Sequence, residues 1–364
     1  MIKVITGMRR SGKSYLLFNL FSDALKAEGV DEQHIIKVNL EDRRNKELRD
    51  PDKLLDYIDG RLLDDKMHYV LLDEVQLVNE FEDVLNSYLQ VKNADIYVTG
   101  SNARFLSKDI ITEFRGRGFE VRVHPLSFQE VCGARQNEPI EQLWVEYLTY
   151  GGLPQVITMA SDKERITYLK GLFKHTYLKD IKERHNIKLD GDLEELISTL
   201  ASNIGGLTNP RKLADTFRSV KKSKISQDTI KVYLDYLQDA FIIERALRYD
   251  IKGKRYIDTP SKFYFEDLGL RNALLNFRQV EKNHLMENAI YNELRSRGMA
   301  VDVGEVIWNT IDDEGKNIRK VLEVDFVCNQ GYKRSYIQSA LSIPDDDKRN
   351  QELQSLKRID DSFK

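Results

Sequence analysis

Residues 7–14 read Gly7-Met8-Arg9-Arg10-Ser11-Gly12-Lys13-Ser14, the spacing G-x-x-x-x-G-K-[ST] that cradles a polyphosphate. The two glycines let the backbone approach phosphate oxygens closely, with Met8, Arg9, Arg10 and Ser11 forming the turn between them. Lys13 would reach the β and γ oxygens, and the Ser14 hydroxyl would take one place on Mg²⁺. This chemistry needs a strand before the loop and a helix after it. Ile2-Lys3-Val4-Ile5-Thr6 is a β-branched strand, and Tyr15-Leu16-Leu17-Phe18-Asn19-Leu20-Phe21 reads as a buried helix. Such a junction aims backbone N–H groups at one point, where the helix dipole adds positive potential. A nucleoside triphosphate with Mg²⁺ is the expected ligand.

Hydrolysis also needs acids. Tyr69-Val70-Leu71-Leu72 reads as a strand buried on both faces, and it ends in Asp73-Glu74. Open α/β sheets place ligands at that carboxyl edge. Asp73 would hold Mg²⁺ through its water shell, and Glu74 would act as general base toward the attacking water. A third strand, Asp95-Ile96-Tyr97-Val98-Thr99, runs into Gly100-Ser101-Asn102. Ser101 or Asn102 is then placed between the loop and the acidic strand, as a sensor of the γ-phosphate. Arg115 and Arg117, flanked by Gly116 and Gly118, fit an arginine finger acting in cis or on a neighbouring subunit; a pair of surface arginines is the alternative. Guanine recognition would call for Asn-Lys-x-Asp. The nearest text, Asn45-Lys46-Glu47-Leu48, lacks the aspartate, so ATP is favoured over GTP.

The 364 residues suffice for several domains, with 41% apolar and 32% charged residues and a net charge of −3. No dominant positive field for nucleic acid is written into the whole chain. Cys132 and Cys328 match no zinc or redox spacing. With no signal peptide and no membrane-spanning run, the expected location is the cytoplasm, with no membrane partner.

The expected architecture is an α/β protein, a P-loop parallel sheet with helices on both faces over 1–135. A helical lid or linker follows over 136–190, broken at Gly151-Gly152-Leu153-Pro154. Over 191–265, three helices and two strands, Phe241-Ile242-Ile243 and Lys262-Phe263-Tyr264-Phe265, spell a winged helix-turn-helix. Arg211, Lys212, Arg218, Lys221, Lys222, Lys224 and Lys231 could meet duplex DNA, whereas Asp228, Asp235 and Asp239 oppose it; a rigid adaptor is the equal alternative. Over 266–364 the order resembles a restriction-endonuclease-like core, with Glu287 on a helix and Asp325 on a strand. Gln338-Ser339-Ala340 stands where such cores carry an acid and a lysine. The expectation is a catalytically silent domain.

Taken in order, Gly7 to Ser14, Asp73-Glu74-Val75-Gln76, Thr99-Gly100-Ser101-Asn102, Arg115-Gly116-Arg117, Pro125-Leu126-Ser127-Phe128, Gly151-Gly152-Leu153-Pro154 and Glu323-Val324-Asp325-Phe326 resemble one family. It is the prokaryotic AAA-type (AAA_14-like) ATPases that carry a C-terminal domain of unknown function, DUF4143. Members have a segment before the first strand that is missing here, and the C-terminal domain looks short for the family. The resemblance implies an ATP-hydrolysing switch, with a protein client and an oligomer left open. The other reading is a DNA-binding regulator in which ATP is an ordering ligand.

Overall fold

The computed structural model describes residues 1–100, 118–187, 190–278, 281–311 and 317–359. It divides into two compact units, Met1–Pro125 with Asp239–Phe241, and Leu126–Gln238 with Ile242–Lys364.

The first unit is built on five strands: β1 (Ile2–Thr6), β2 (Ile35–Asn39), β3 (His68–Asp73), β4 (Ala94–Thr99) and β5 (Gly118–Arg122). Their order in the sheet is β2-β3-β4-β1-β5, and every pairing is parallel. Val70, Leu71 and Leu72 are fully buried, as a strand covered on both faces requires. One face packs Val4, Val38, Val70, Leu72 and Val98 with the helices α2 (Pro51–Asp59) and α3 (Phe81–Ser87). The other packs Ile5, Ile35 and Leu71 against Leu17 and Leu25 of α1, the helix that follows the phosphate loop. That helix opens at Lys13–Tyr15, widens into a π-helical stretch over Leu16–Phe21 and closes as Ser22–Ala27. Because β4 lies between β1 and β3, the last residue of β4 separates the loop from the acidic strand end.

The second unit begins with α4 (Phe128–Ala134) and α5 (Ile140–Tyr150). Helices α6 (Asp190–Ser202), α7 (Pro210–Val220) and α8 (Gln227–Asp239) follow in the region expected for three helices. Asn209 caps α7 by accepting the Arg211 and Lys212 amides, with Pro210 at the first helical position. The strand pair is longer than the sequence suggests. It forms the antiparallel strands β6 (Ile243–Asp250) and β7 (Arg255–Phe265). It does not close on itself. The outer edge of β6 pairs in parallel with β8 (Ala300–Ile311), which continues to β9 (Asn317–Gln330) and β10 (Lys333–Ile337). One sheet, β10-β9-β8-β6-β7, therefore runs across the boundary expected at residue 265. A partner strand fifty residues downstream leaves no local pattern to read.

Gly151-Gly152-Leu153-Pro154 ends α5 as expected, with Gly151 at φ 77°. This turn is anchored on Asp267, whose buried carboxylate accepts the Gly152 amide at 2.8 Å and the Leu270 amide at 2.9 Å. No helix of the described residues is long and apolar enough to cross a membrane.

Asp267→Ala strands two buried amides and should cost about 2–5 kcal/mol of stability. Asp267→Asn, which keeps one acceptor, should recover part of it. Denaturant unfolding followed by hydrogen exchange at Gly152 and Leu270 reads this, and equal stability of the alanine variant would refute the anchoring role.

Candidate functional site at the carboxyl edge of the parallel sheet

The loop from Gly7 to Gly12 turns back at the end of β1 through three residues in left-handed backbone: Gly7 at φ 135°, Arg10 at φ 69° and Gly12 at φ 100°. Gly7 admits no side chain, since a Cβ there would lie 2.1 Å from the Val123 carbonyl oxygen. Lys13 folds back over the loop, and its ammonium donates to the carbonyls of Gly7 and Met8, both at 2.9 Å. Met8 and Ser11 are buried, and the Ser11 hydroxyl has no hydrogen-bond partner among the described residues. Arg9 reaches Glu41 at 3.8 Å.

The loop faces the acidic strand end directly. Ser14 Oγ donates to Asp73 Oδ1 at 2.9 Å. The same oxygen accepts from Thr99 Oγ1 at 2.5 Å, and Thr99 Oγ1 accepts the Glu74 amide at 3.1 Å. Thr99, fully buried at the end of β4, thus ties Asp73 and Glu74 from the strand between loop and acids. Glu74 turns out of the strand in left-handed geometry (φ 58°, ψ 49°), and the Gln76 amide donates to its carboxylate.

The charges here are electrostatically strained. Burial is the largest influence on Lys13 and pushes it down to about 8, against the pull of Glu74 and Asp73 and with added repulsion from Arg9. Burial likewise raises the Glu74 carboxyl above the usual carboxylate range, while Gln76 and Lys13 draw it back. A polyanion would relieve Lys13. The donor set also suits a hard cation, offering one hydroxyl and one carboxylate in contact.

Of the residues named from sequence, the structure gathers Gly7 to Ser14, Asp73 and Glu74 in one place. Ser101, Asn102, Arg115 and Arg117 lie outside the described residues. The sequence reading missed Thr99 and Gln76. A hydroxyl as the last residue of a buried strand was the available signal for Thr99.

A second charged cluster lies in the other unit. Asp325 on β9 accepts from the Ser339 amide (2.7 Å), Ser339 Oγ (2.6 Å) and Gln338 Nε2 (3.1 Å). A lysine does enter this neighbourhood, from β7 rather than from position 340. Lys262, buried, bridges Glu287 at 2.9 Å and Glu323 at 2.6 Å, and Tyr264 donates to Glu287 at 2.6 Å. Burial opposes its charge, yet the two glutamates outweigh burial and raise the Lys262 ammonium above its ordinary value. Among the described residues, the grouping of three His, Cys, Asp or Glu side chains close enough to share a metal is His34, Asp64 and His68. There the His68 ring already bonds the Lys66 carbonyl and the Leu63 amide.

Lys13 sets a sign that can be measured. Its folded pKa lies below the unfolded one, so burying the ammonium costs most below pH 8, and this cost disappears as pH rises toward 10.5. An anion in the loop raises that pKa. Nucleotide binding at pH 8.5 should therefore take up a substantial fraction of one proton, measured by calorimetry in buffers of different ionisation enthalpy. Lys13→Met should abolish the uptake; uptake unchanged in that variant would contradict this assignment.

The sequence profile of the AAA domain family AAA_14 matches residues 1–132. A second profile, of the domain of unknown function DUF8612, matches 141–281, in place of the DUF4143 domain expected from sequence. An uncharacterized protein of Haemophilus influenzae is 34% identical over 368 residues, covering all of this chain and 87% of its own length. One of Methanocaldococcus jannaschii is 28% identical over 341 residues, covering 90% of this chain and 71% of its own. Among solved structures, the Walker-type ATPase PABY2304 of Pyrococcus abyssi superposes with a TM-score of 0.51 at 16% identity, over 75% of this chain and 91% of that one. It is a likeness of fold. Sheet order and loop agree with the match over residues 1–132: this chain carries an AAA domain of the AAA_14 family, and over its length it belongs to one family with the uncharacterized Haemophilus influenzae protein.

Proposed function

We propose that this chain binds Mg-ATP between the phosphate loop and the end of β3, and hydrolyses it to drive a conformational switch. The observation that carries the reading is the Ser14–Asp73 hydrogen bond, because it joins the loop to the acidic strand end. Lys13 would leave the Gly7 and Met8 carbonyls for β and γ oxygens. Ser14 and Asp73 would hold Mg²⁺, Asp73 through the water shell; the ion, when bound, neutralises charge on the phosphates. Glu74, half-buried with its carboxyl raised by burial, suits a base that takes a proton from the attacking water. Ser101 or Asn102 as γ-phosphate sensor and Arg115 or Arg117 as arginine finger complete the proposal.

The second unit would be the moving part, with α6 to α8 and the β6–β7 pair in the winged-helix role and the β8–β10 region as a silent nuclease-like domain. Two features support silence. Asp325 is engaged by neutral donors from Gln338 and Ser339, and Lys262 is clamped by two glutamates. A client protein and an oligomeric state belong to the same proposal.

Steady-state turnover tests it. Glu74→Gln should lower kcat by about 10²–10⁴-fold with nucleotide still bound. Lys13→Ala should lose both tight binding and turnover. Wild-type rates in either variant would sink the hydrolytic reading.

The alternative, a DNA-binding regulator ordered by ATP, rests on seven exposed basic residues between Arg211 and Lys231. Three of them already face acids: Arg218 with Asp215, Lys221 with Glu195, and Lys231 with Asp228. Such exposed pairs are weak, so duplex binding would show a steep salt dependence, reduced by replacing Lys221, Lys222 and Lys224 with alanine. Absence of binding at low salt removes this reading.

A further inference from the structure

The amino edge of the parallel sheet, at the end away from the phosphate loop, carries a constellation of its own. The register pairs Ile35 of β2 with Tyr69 of β3, so His34 and His68, one residue earlier on each, stand side by side. Their rings meet at 4.7 Å between centroids, and both are buried, at 2% and 0% exposure. Asp64, in the loop that leads into β3, reaches His34 with a side chain that is 41% exposed. The ligand atoms of all three lie within 4.8 Å of one another. His68 opens β3 and Asp73 closes it, about 16 Å further along the strand, so this group is separate from the proposed Mg²⁺ position.

Two of the three ligands are oriented in advance. His68 Nε2 accepts the Leu63 amide at 3.2 Å, so the ring hydrogen sits on Nδ1 and is donated to the Lys66 carbonyl at 2.8 Å. A backbone carbonyl on the far nitrogen is what orients a metal-binding imidazole and leaves its other nitrogen as the ligand atom. The Lys66 amide in turn donates to Asp64 Oδ1 at 2.9 Å, so the backbone of one residue steers both groups. Asn93, just before β4, holds the same loop through the Asp64 carbonyl and the His68 amide, each at 2.8 Å. The contacts among the three groups are slack by comparison. His34 Nε2 faces both Asp64 oxygens at 3.1 Å, and one N–H cannot align with two acceptors.

We propose that His34, Asp64 and His68 bind one zinc-class divalent ion, which staples the edge strand β2 to β3, with water as the fourth ligand. Two imidazole nitrogens and one carboxylate oxygen suit Zn²⁺ and its transition-metal neighbours rather than Mg²⁺. A tetrahedral shell sets its ligands about 3.4 Å apart, so the three atoms need to close by no more than about 1.4 Å. The exposed side of Asp64 is the way in for the ion. On binding, His34 adopts the tautomer with its hydrogen on Nδ1. Water then replaces His68 as acceptor for the amide of Leu63, a residue 63% exposed.

The test uses the full chain, stripped with a chelator, held in excess Mg²⁺ and titrated with Zn²⁺ or, in parallel, Co²⁺. One equivalent of Zn²⁺ should bind and raise the melting temperature by about 5 °C at roughly a hundredfold excess over Kd. Bound Co²⁺ should show the strong visible absorption of a four-coordinate site. Asp64→Ala removes an exposed ligand, and His34→Gln keeps a donor toward Asp64 while removing an imidazole. Each should weaken Zn²⁺ binding by more than about 100-fold, beyond what outer-shell partners command, and abolish the melting shift. Wild-type Zn²⁺ affinity in either variant makes the metal an adventitious ion only and overturns the proposal. So does a wild-type chain that binds no Zn²⁺, in which case the three groups are a hydrogen-bonded clasp. Should a variant fail to fold, the Co²⁺ spectrum of the wild type decides, and weak six-coordinate absorption overturns the assignment.

Discussion

One oxygen atom organises the unit of this molecule that carries the phosphate loop. Asp73 Oδ1 is buried at the end of β3 and accepts from Ser14, which follows the loop after β1, and from Thr99, which ends β4. A buried carboxylate is tolerated only where donors replace water, and these two hydroxyls come from the start of α1 and the end of β4. The insertion of β4 between β1 and β3 makes this geometry available. Without it, the loop and the acids would be neighbours with no polar residue between them.

The two charged clusters differ in how well they are satisfied. Lys262 sits between two glutamates, and the net result raises its pKa, so the charge is at rest. Among the described residues, Lys13 has only carbonyls at hydrogen-bonding distance and is pushed down; Glu74 is pushed up. Strain of that kind marks groups that await a ligand or a proton, whereas a neutralised pair holds a structure together. The contrast separates the proposed nucleotide site from the cluster around Lys262, although both carry similar residue types.

The sequence made the first unit legible because its signals are local. Gly7, Gly12 and Lys13 are fixed by the loop's own geometry, and Val70 to Leu72 announce a doubly covered strand. The second unit was harder. Its helices were readable from caps such as Asn209-Pro210, but β6 pairs with β8 across more than fifty residues, and no periodicity records a partner. Lys262 escaped notice for the same reason, because it enters the Glu287 cluster from a strand expected in another domain. Thr99 and Gln76 were hidden differently. Each belongs to a motif already quoted, yet its role depends on a neighbour's backbone direction, which sequence does not encode by itself.

The most direct measurement is a crystal structure of the full chain with Mg²⁺ and a non-hydrolysable ATP analogue. The account predicts that the Lys13 ammonium leaves the Gly7 and Met8 carbonyls for phosphate oxygens, with the metal beside Ser14 and Asp73. A nucleotide bound elsewhere, or one that leaves Lys13 on those carbonyls, would contradict it.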